Sequence, residues 1–275
     1  MEEQEPLSKP NTTRWTILKY DGSGLTERED EIAAEFPLTI RLDGVEFATI
    51  VCSPSELREL VIGFLASEGV IREAGQVKSL VIDEDTGFAY AELAHKHESG
   101  IDRYAKRVIG SCCGKSRQFY FHNDMLTART IMTRTVIEPE QCLRLMQELQ
   151  DSSAEFRSTG GVHNAGIGTA GGGLLAVRTD IGRHNALDKL FGYCLLRRLR
   201  TRDKVIAFSG RLSSEVVLKT AKIGCGILLS KSAPTDLALR LAEDLGITCV
   251  GFIRGGEMNV YTHPERIAID SEAAN

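Results

Sequence analysis

Alternation is the first signal in this chain. Leu38, Ile40 and Leu42 alternate with polar neighbours, Asp43-Gly44 interrupts, and Val45, Phe47 and Thr49 alternate back. Successive strand side chains point to opposite faces, and Asp-Gly between two such runs favours a type I′ hairpin. The period then lengthens: Leu57, Leu60, Val61, Phe64 and Leu65 fall on one helical face that ends near Gly69. Ser53-Pro54-Ser55-Glu56, just ahead, has the form of a capping box with proline at the first helical position. Residues 77–94 predict two short strands around Asp85-Thr86-Gly87, and a second amphipathic helix is expected from Pro139 to Leu149.

Beyond that helix the rhythm becomes regular. Strand-like runs at 173–178, 204–209, 226–230 and 247–253 alternate with helical patterns at 184–199, 213–223 and 235–245. Such alternation predicts βαβ units and a largely parallel sheet, with ligands at the strand C-terminal ends. The fold class is therefore α/β: a C-terminal three-layer βαβ domain over 131–275 and a smaller N-terminal α+β domain over 36–130. Residues 1–35 are polar, with an acidic run from Glu27 to Glu31, and read as a loosely packed lead-in.

Composition narrows the class. A net charge of −5 lacks the basic excess of a nucleic-acid binder. No stretch approaches the roughly 20 apolar residues of a membrane span, and the acidic start lacks the pattern of a signal peptide. The expectation is a cytoplasmic protein with neither nucleic-acid nor membrane partners. Seven scattered cysteines do not form a disulfide framework, and Cys142, Cys194, Cys225 and Cys249 sit in apolar runs as core filler.

The unusual thiols are Cys112 and Cys113, in Ile109-Gly110-Ser111-Cys112-Cys113-Gly114-Lys115-Ser116-Arg117. Bracketing glycines suit a tight, accessible loop. Lys96, Arg103, Lys106, Arg107, Lys115 and Arg117 face only Glu98 and Asp102 in this stretch, and nearby cations stabilise thiolate. A reactive thiol that holds sulfur as a persulfide is the best single reading. Structural zinc, a vicinal disulfide and a buried pair are weaker alternatives, for want of a second ligand pair, of Cα separation and of apolar flanks respectively.

Polar corners follow each strand of the second half. Thr159-Gly160-Gly161-Val162-His163-Asn164-Ala165-Gly166 reads as a glycine-rich turn able to present N–H groups to an anion, or as a tight turn with a hydrogen-bonded histidine. Gly182-Arg183-His184-Asn185 offers an arginine fork and an imidazole, against the plainer reading of a capping network with Asp188 and Lys189 outside. Ser209-Gly210-Arg211, Ser230-Lys231-Ser232 and Phe252-Ile253-Arg254-Gly255-Gly256-Glu257 complete the set. In a parallel sheet these corners share an edge, so Arg183, Arg211, Lys231 and Arg254 can form an anion pocket for a phosphorylated ligand. No Walker A motif occurs.

Taken together, these segments resemble the formate dehydrogenase accessory sulfur-carrier family, FdhD. The resemblance runs over about residues 35–270. Its pieces are Ser53-Pro54, Ser111 to Arg117, Thr159 to His163, Gly182 to Lys189, Ser209-Gly210-Arg211 with Glu215, Ser232 to Thr235, and Gly251 to Arg254 through Asn259 to Thr262. It implies a sulfur carrier that accepts a persulfide from a cysteine desulfurase. The sulfur would pass to a molybdenum or tungsten bis-guanine-dinucleotide cofactor needed by formate dehydrogenase, a client rather than a permanently bound group. It further implies cofactor contact at Phe252, Ile253, Arg254, Gly255, Gly256 and Glu257, with Arg183, His184 and Arg211 on the same rim. A cytidine deaminase-like fold for the second half and a homodimer also fit. The alternative is a chaperone that binds the cofactor and the apo-dehydrogenase without transferring sulfur. Many members space their cysteines as Cys-x-x-Cys, whereas here they are adjacent. Counting back from Gly-Lys favours Cys113 as carrier; counting on from the serine favours Cys112. The chain lacks the His-x-Glu and Cys-x-x-Cys of a zinc deaminase.

Overall fold

Leu38, Ile40 and Leu42 are the buried face of a strand, and the computed structural model shows what they are buried against. It describes residues 9–95, 108–109 and 130–268. Strands β3 (Phe36–Leu42) and β4 (Val45–Cys52) form the expected antiparallel hairpin. Its two turn residues, Asp43 and Gly44, have φ of 49° and 86°, as a type I′ turn requires. With β5 (Val77–Asp83), β6 (Phe88–Leu93) and β7 (Val108–Ile109) they make a five-stranded sheet in the order β5-β6-β3-β4-β7. Helix α1 (Leu57–Ser67) carries the expected apolar face into the core.

The second sheet has six strands: β8 (His163–Thr169), β9 (Leu174–Asp180), β10 (Lys204–Phe208), β11 (Ile227–Ser230), β12 (Thr248–Arg254) and β13 (Glu257–Val260). Their order is β13-β12-β11-β10-β8-β9. Helix α2 (Pro139–Ser152) covers one face of it; α4 (Arg183–Leu196), α5 (Ser214–Ile223) and α6 (Asp236–Leu245) cover the other. A short helix, α3 (Ala154–Thr159), follows α2. Alternation along β10 shows the layering. Val205 and Ala207 join Leu145, Met146 and Leu149 of α2, while Ile206 and Phe208 join Leu187, Val217 and Leu241 on the opposite side. The chain is a mixed α/β protein. The larger core cluster is continuous from Leu38, Ile40 and α1 through α4 to Ile206 and Leu228, so both sheets share it.

Three local expectations change. The sheet is parallel only across β10, β11 and β12; β8, β9 and β13 pair antiparallel. The glycine-rich stretch read as a turn is strand β8 from His163 onward, where Gly166 and Gly168 leave room for Leu149, Leu174 and Leu145 above them. The capping box does not form. Helix α1 starts at Leu57 with Glu56 in the left-handed region and no side-chain cap. Ser53 instead bonds across to the second half: its N–H donates to Asp180 Oδ2 at 3.0 Å, and its Oγ accepts from the Ile181 N–H at 3.1 Å.

The polar lead-in forms strands that its composition did not predict. Thr12–Tyr20 (β1) and Leu25–Ala33 (β2) pair antiparallel over their full length as a separate two-stranded ribbon. β1 is rich in β-branched and aromatic residues. The charges of β2 mark a solvated strand rather than an unstructured run.

Helices α1 and α4 approach closely through glycines. A Cβ on Gly63 would fall 1.7 Å from the Asp188 carbonyl oxygen, and one on Gly192 would fall 1.9 Å from that of Glu59. Arg178 on β9 clamps Glu59 of α1 in a bidentate pair, Nη2 to Oε1 at 2.8 Å. No helix among the described residues is long and apolar enough to cross a membrane.

Candidate functional site

Two polar clusters lie along the sheet edge where β9, β10, β11 and β12 end. Antiparallel pairing brings the start of β8 to the same edge, since His163 pairs with Asp180 and Ala165 with Phe208.

Beneath this edge lies a buried network that joins the two halves of the chain. Asp180 and Lys189 are both fully buried and pair at 2.9 Å. Asp180 also accepts from the N–H groups of Ser53 and Gly182 and from Asn185 Nδ2 at 2.9 Å. Lys189 donates to the Thr179 carbonyl at 3.1 Å and lies 3.6 Å from Glu56. Buried charges are tolerated when paired and saturated in this way. Asp188, which the plainer capping reading alone places outside with Lys189, is buried with it and pairs with Lys219; it also accepts from Ser67 Oγ at 2.5 Å.

The first cluster sits on top of that network. Helix α4 opens with Arg183 and His184. His184 Nε2 lies 2.8 Å from Glu215 Oε2, in the first turn of α5. His163 Nδ1 is 3.5 Å from Ser209 Oγ, which accepts from the Asn164 N–H at 2.9 Å. Burial, aided by the positive charges of Arg183 and His184, pushes the His163 pKa below its ordinary value. Arg183 Nε and Ser213 Oγ are buried with no hydrogen-bond partner among the described residues. Neither α4 nor α5 has a side-chain N-cap. Unfilled donors at two helix starts suit an anion. Arg211 is exposed at the rim of this cluster.

The second cluster is a pocket of about 510 Å³ between α2 and the β12–β13 turn. Lys231 and Arg254, both expected there, line it with Gly255 and Gly256, and α2 adds Arg144 and Gln150. Lys231 Nζ donates to Gln150 Oε1 at 3.1 Å. The turn is conformationally unusual: Phe252 has φ of 53°, Gly255 61° and Gly256 84°, and the β12–β13 register shifts between Gly251 and Arg254. A bulky residue held at positive φ, beside a bulge, marks a backbone shaped for a purpose other than packing. Ile253 is buried beneath the pocket, Arg254 lies 5.4 Å from the Phe252 ring centroid, and Glu257 pairs in register with Arg254.

The four basic residues thus share one edge but divide between two clusters: Lys231 and Arg254 in the pocket, Arg183 and Arg211 at the helix starts. Arg144 and Gln150 escaped sequence reading. Their spacing with Gln147 on the polar face of α2 was the available signal, but nothing in sequence places that face over the β12–β13 turn.

Five cysteines are described, and all are buried: Cys52, Cys142, Cys194, Cys225 and Cys249. Burial raises each thiol pKa, to about 12 for Cys142, Cys194 and Cys249, and upward likewise for Cys52 and Cys225. None is poised to form thiolate. Cys112 and Cys113 lie outside the described residues. The last described stretch before them, β7, runs parallel to β4, the strand that continues into Cys52 and Ser53.

The fold and site together define a mixed α/β protein with a sheet edge whose unfilled donors suit an anion, and with every described thiol buried. Comparison with known proteins makes this specific. Residues 33–268 match the FdhD/NarQ family model, and the chain belongs to that family. It is 58% identical to the sulfur carrier protein FdhD of Geobacillus kaustophilus over 256 residues, covering 93% of this chain and 97% of that one. It is 55% identical to the sulfur carrier protein FdhD of Bacillus subtilis over 251 residues, covering 91% and 95%. Among solved structures, a protein from Desulfotalea psychrophila described as a formate dehydrogenase accessory protein superposes with a TM-score of 0.77 at 27% identity. That match covers 94% of this chain and all of the other.

Proposed function

We propose that this protein is a sulfur carrier serving a formate dehydrogenase, with Cys112 or Cys113 as the carrying thiol and the sheet edge as the seat of the receiving cofactor. The observation that carries the reading is the burial of the other five cysteines, which removes them as carriers and leaves Cys112 and Cys113 as the remaining candidates. The names of the relatives point the same way. Loading needs no net redox change. The thiolate attacks the outer sulfur of a desulfurase persulfide, a new S–S bond forms as the donor's breaks, and the donor leaves as thiolate.

The acceptor in this reading is a bis-guanine-dinucleotide cofactor bearing molybdenum or tungsten, bound as substrate. Its diphosphates match the donors that the edge holds ready: Lys231, Arg254 and the turn N–H groups in the pocket, Arg183 and Ser213 at the helix starts. Incubating the protein with a cysteine desulfurase and cysteine should add the mass of one sulfur atom, mapped to the Cys112-Cys113 peptide. An unmodified peptide would remove the carrier role. In the chaperone reading, favoured by a pocket whose described lining includes no cysteine, alanine at both positions leaves dehydrogenase activation intact. In the carrier reading the same double variant binds cofactor but fails to activate.

A further inference from the structure

Another pocket, of about 560 Å³, opens at the opposite end of the second sheet, where both halves of the chain meet. Ala66, Ile71 and Arg72 reach it from the first half, at and beyond the end of α1. Phe191 of α4, Thr201, Arg202 and Lys222 of α5 reach it from the second. Thr201 and Arg202 precede β10, and the lining residue Gly224 precedes β11. The pocket therefore lies by the starts of these parallel strands, whereas the polar clusters lie at their ends.

Its outer wall, residues 130–132, is pinned to the end of α6. The Ile131 N–H donates to the Leu245 carbonyl at 2.7 Å. Gly246 permits the approach: it has φ of 70°, and a Cβ there would fall 2.6 Å from the Ile131 carbonyl oxygen.

The charge of the lining is one-sided. Arg72, Arg202 and Lys222 line the pocket, and no carboxylate among the described residues does. Helix C-termini attract cations, and α1 and α5 both end here. Those ends are already served by other groups. Phe64, Leu65 and Ala66 of α1 accept from the backbone N–H groups of Glu68, Val70 and Gly69, and the Ser67 carbonyl accepts from Lys222 Nζ at 2.5 Å. At the end of α5, Thr220 accepts from the Gly224 N–H, and Ile223 accepts from Thr201 Oγ1 at 2.6 Å. Neither arginine takes part, and neither guanidinium has a hydrogen bond or ion pair among the described residues.

The remaining surface is apolar. Ile71, Ile131 and Phe191 line it with Met132, which at 80% exposed is the most exposed large apolar side chain described. A thioether adapts to irregular partners, and covering it is favourable. Cavities of this size, apolar with a few convergent polar groups, hold small molecules. Guanidinium forks match the oxygens of carboxylate and phosphate.

We infer that this pocket binds a small organic anion. Arg72 and Arg202 hold its carboxylate or phosphate head, and its apolar body lies along Ile71, Ile131, Met132 and Phe191. The ligand joins the two halves of the chain at the end remote from the polar clusters.

Anilinonaphthalene sulfonate, an aromatic anion whose emission rises on apolar surfaces, serves as the probe. Titrated into the full chain, it should reveal a saturable site. Arg72→Ala and Arg202→Ala should each weaken that site about tenfold, and Met132→Ser should weaken it as well. Arg254→Ala, at the opposite edge, should leave it unchanged. All four side chains are exposed and outside both core clusters, so the variants keep the fold. Octanoate and hexyl phosphate should compete with the dye, the stronger competitor identifying the head group. Inorganic phosphate, which lacks the apolar body, should not compete. Three results would each overturn the inference: no saturable site, a site indifferent to both arginines, or displacement by inorganic phosphate as effective as by the amphiphiles.

Discussion

At the scale of single residues, the sharpest consequences concern groups whose charge is confined. Lys189 and Asp180 are both fully buried, so Lys189→Met strands a carboxylate and should cost about 3–5 kcal/mol in denaturant unfolding. His163 gives a pH dependence with a defined sign. Its folded pKa lies below its ordinary value of 6.5, chiefly through burial. The unfolded chain therefore takes up that proton first as pH falls, and stability declines as pH drops through about 6.5 and below. His163→Asn should flatten that part of the slope, read from denaturant midpoints between about pH 5 and pH 7.5. In the pocket, Lys231→Ala and Arg254→Ala should each weaken binding of a guanosine diphosphate probe about tenfold, measured by calorimetry. Equal affinity in both variants would move the diphosphate away from the β12–β13 turn. None of these partners could be paired from sequence. Ser53 and Asp180 are 127 positions apart, and a capping box was the nearer explanation for the serine.

Elements set by neighbouring residues were the legible part of this chain. The Asp43-Gly44 turn specifies its hairpin by itself, because both positions need positive φ. Helices α4, α5 and α6 follow from apolar periodicity within ten to fourteen residues each. Strand direction was not legible in the same way. β8 and β9 are joined by a short antiparallel turn, and their apolar content alone does not distinguish that from a parallel crossover. The ribbon was hidden for a different reason: β2 carries its charges on a solvated edge, where composition resembles an unstructured tail. The crossing of α1 and α4 was equally silent, since Gly63 and Gly192 carry meaning only once the helices are face to face. Gly192→Ala must displace the Glu59 carbonyl and should cost about 1–3 kcal/mol or more by thermal unfolding. An unchanged midpoint would mean that the helices separate easily.

Across the whole molecule, the continuous core couples the two sheets, and the Ser53–Asp180–Lys189 network ties the halves at the same edge that holds the polar clusters. Shared packing of this kind predicts one cooperative transition, with coincident curves from circular dichroism and from calorimetry. Tryptophan fluorescence should stand apart from both. The chain has a single tryptophan, Trp15, and the ribbon holds it 65% exposed outside the core. Its emission should therefore lie near that of a water-exposed indole in the folded monomer and shift little when the core melts. The one intrinsic optical probe of the chain therefore reports on the ribbon and is blind to the core.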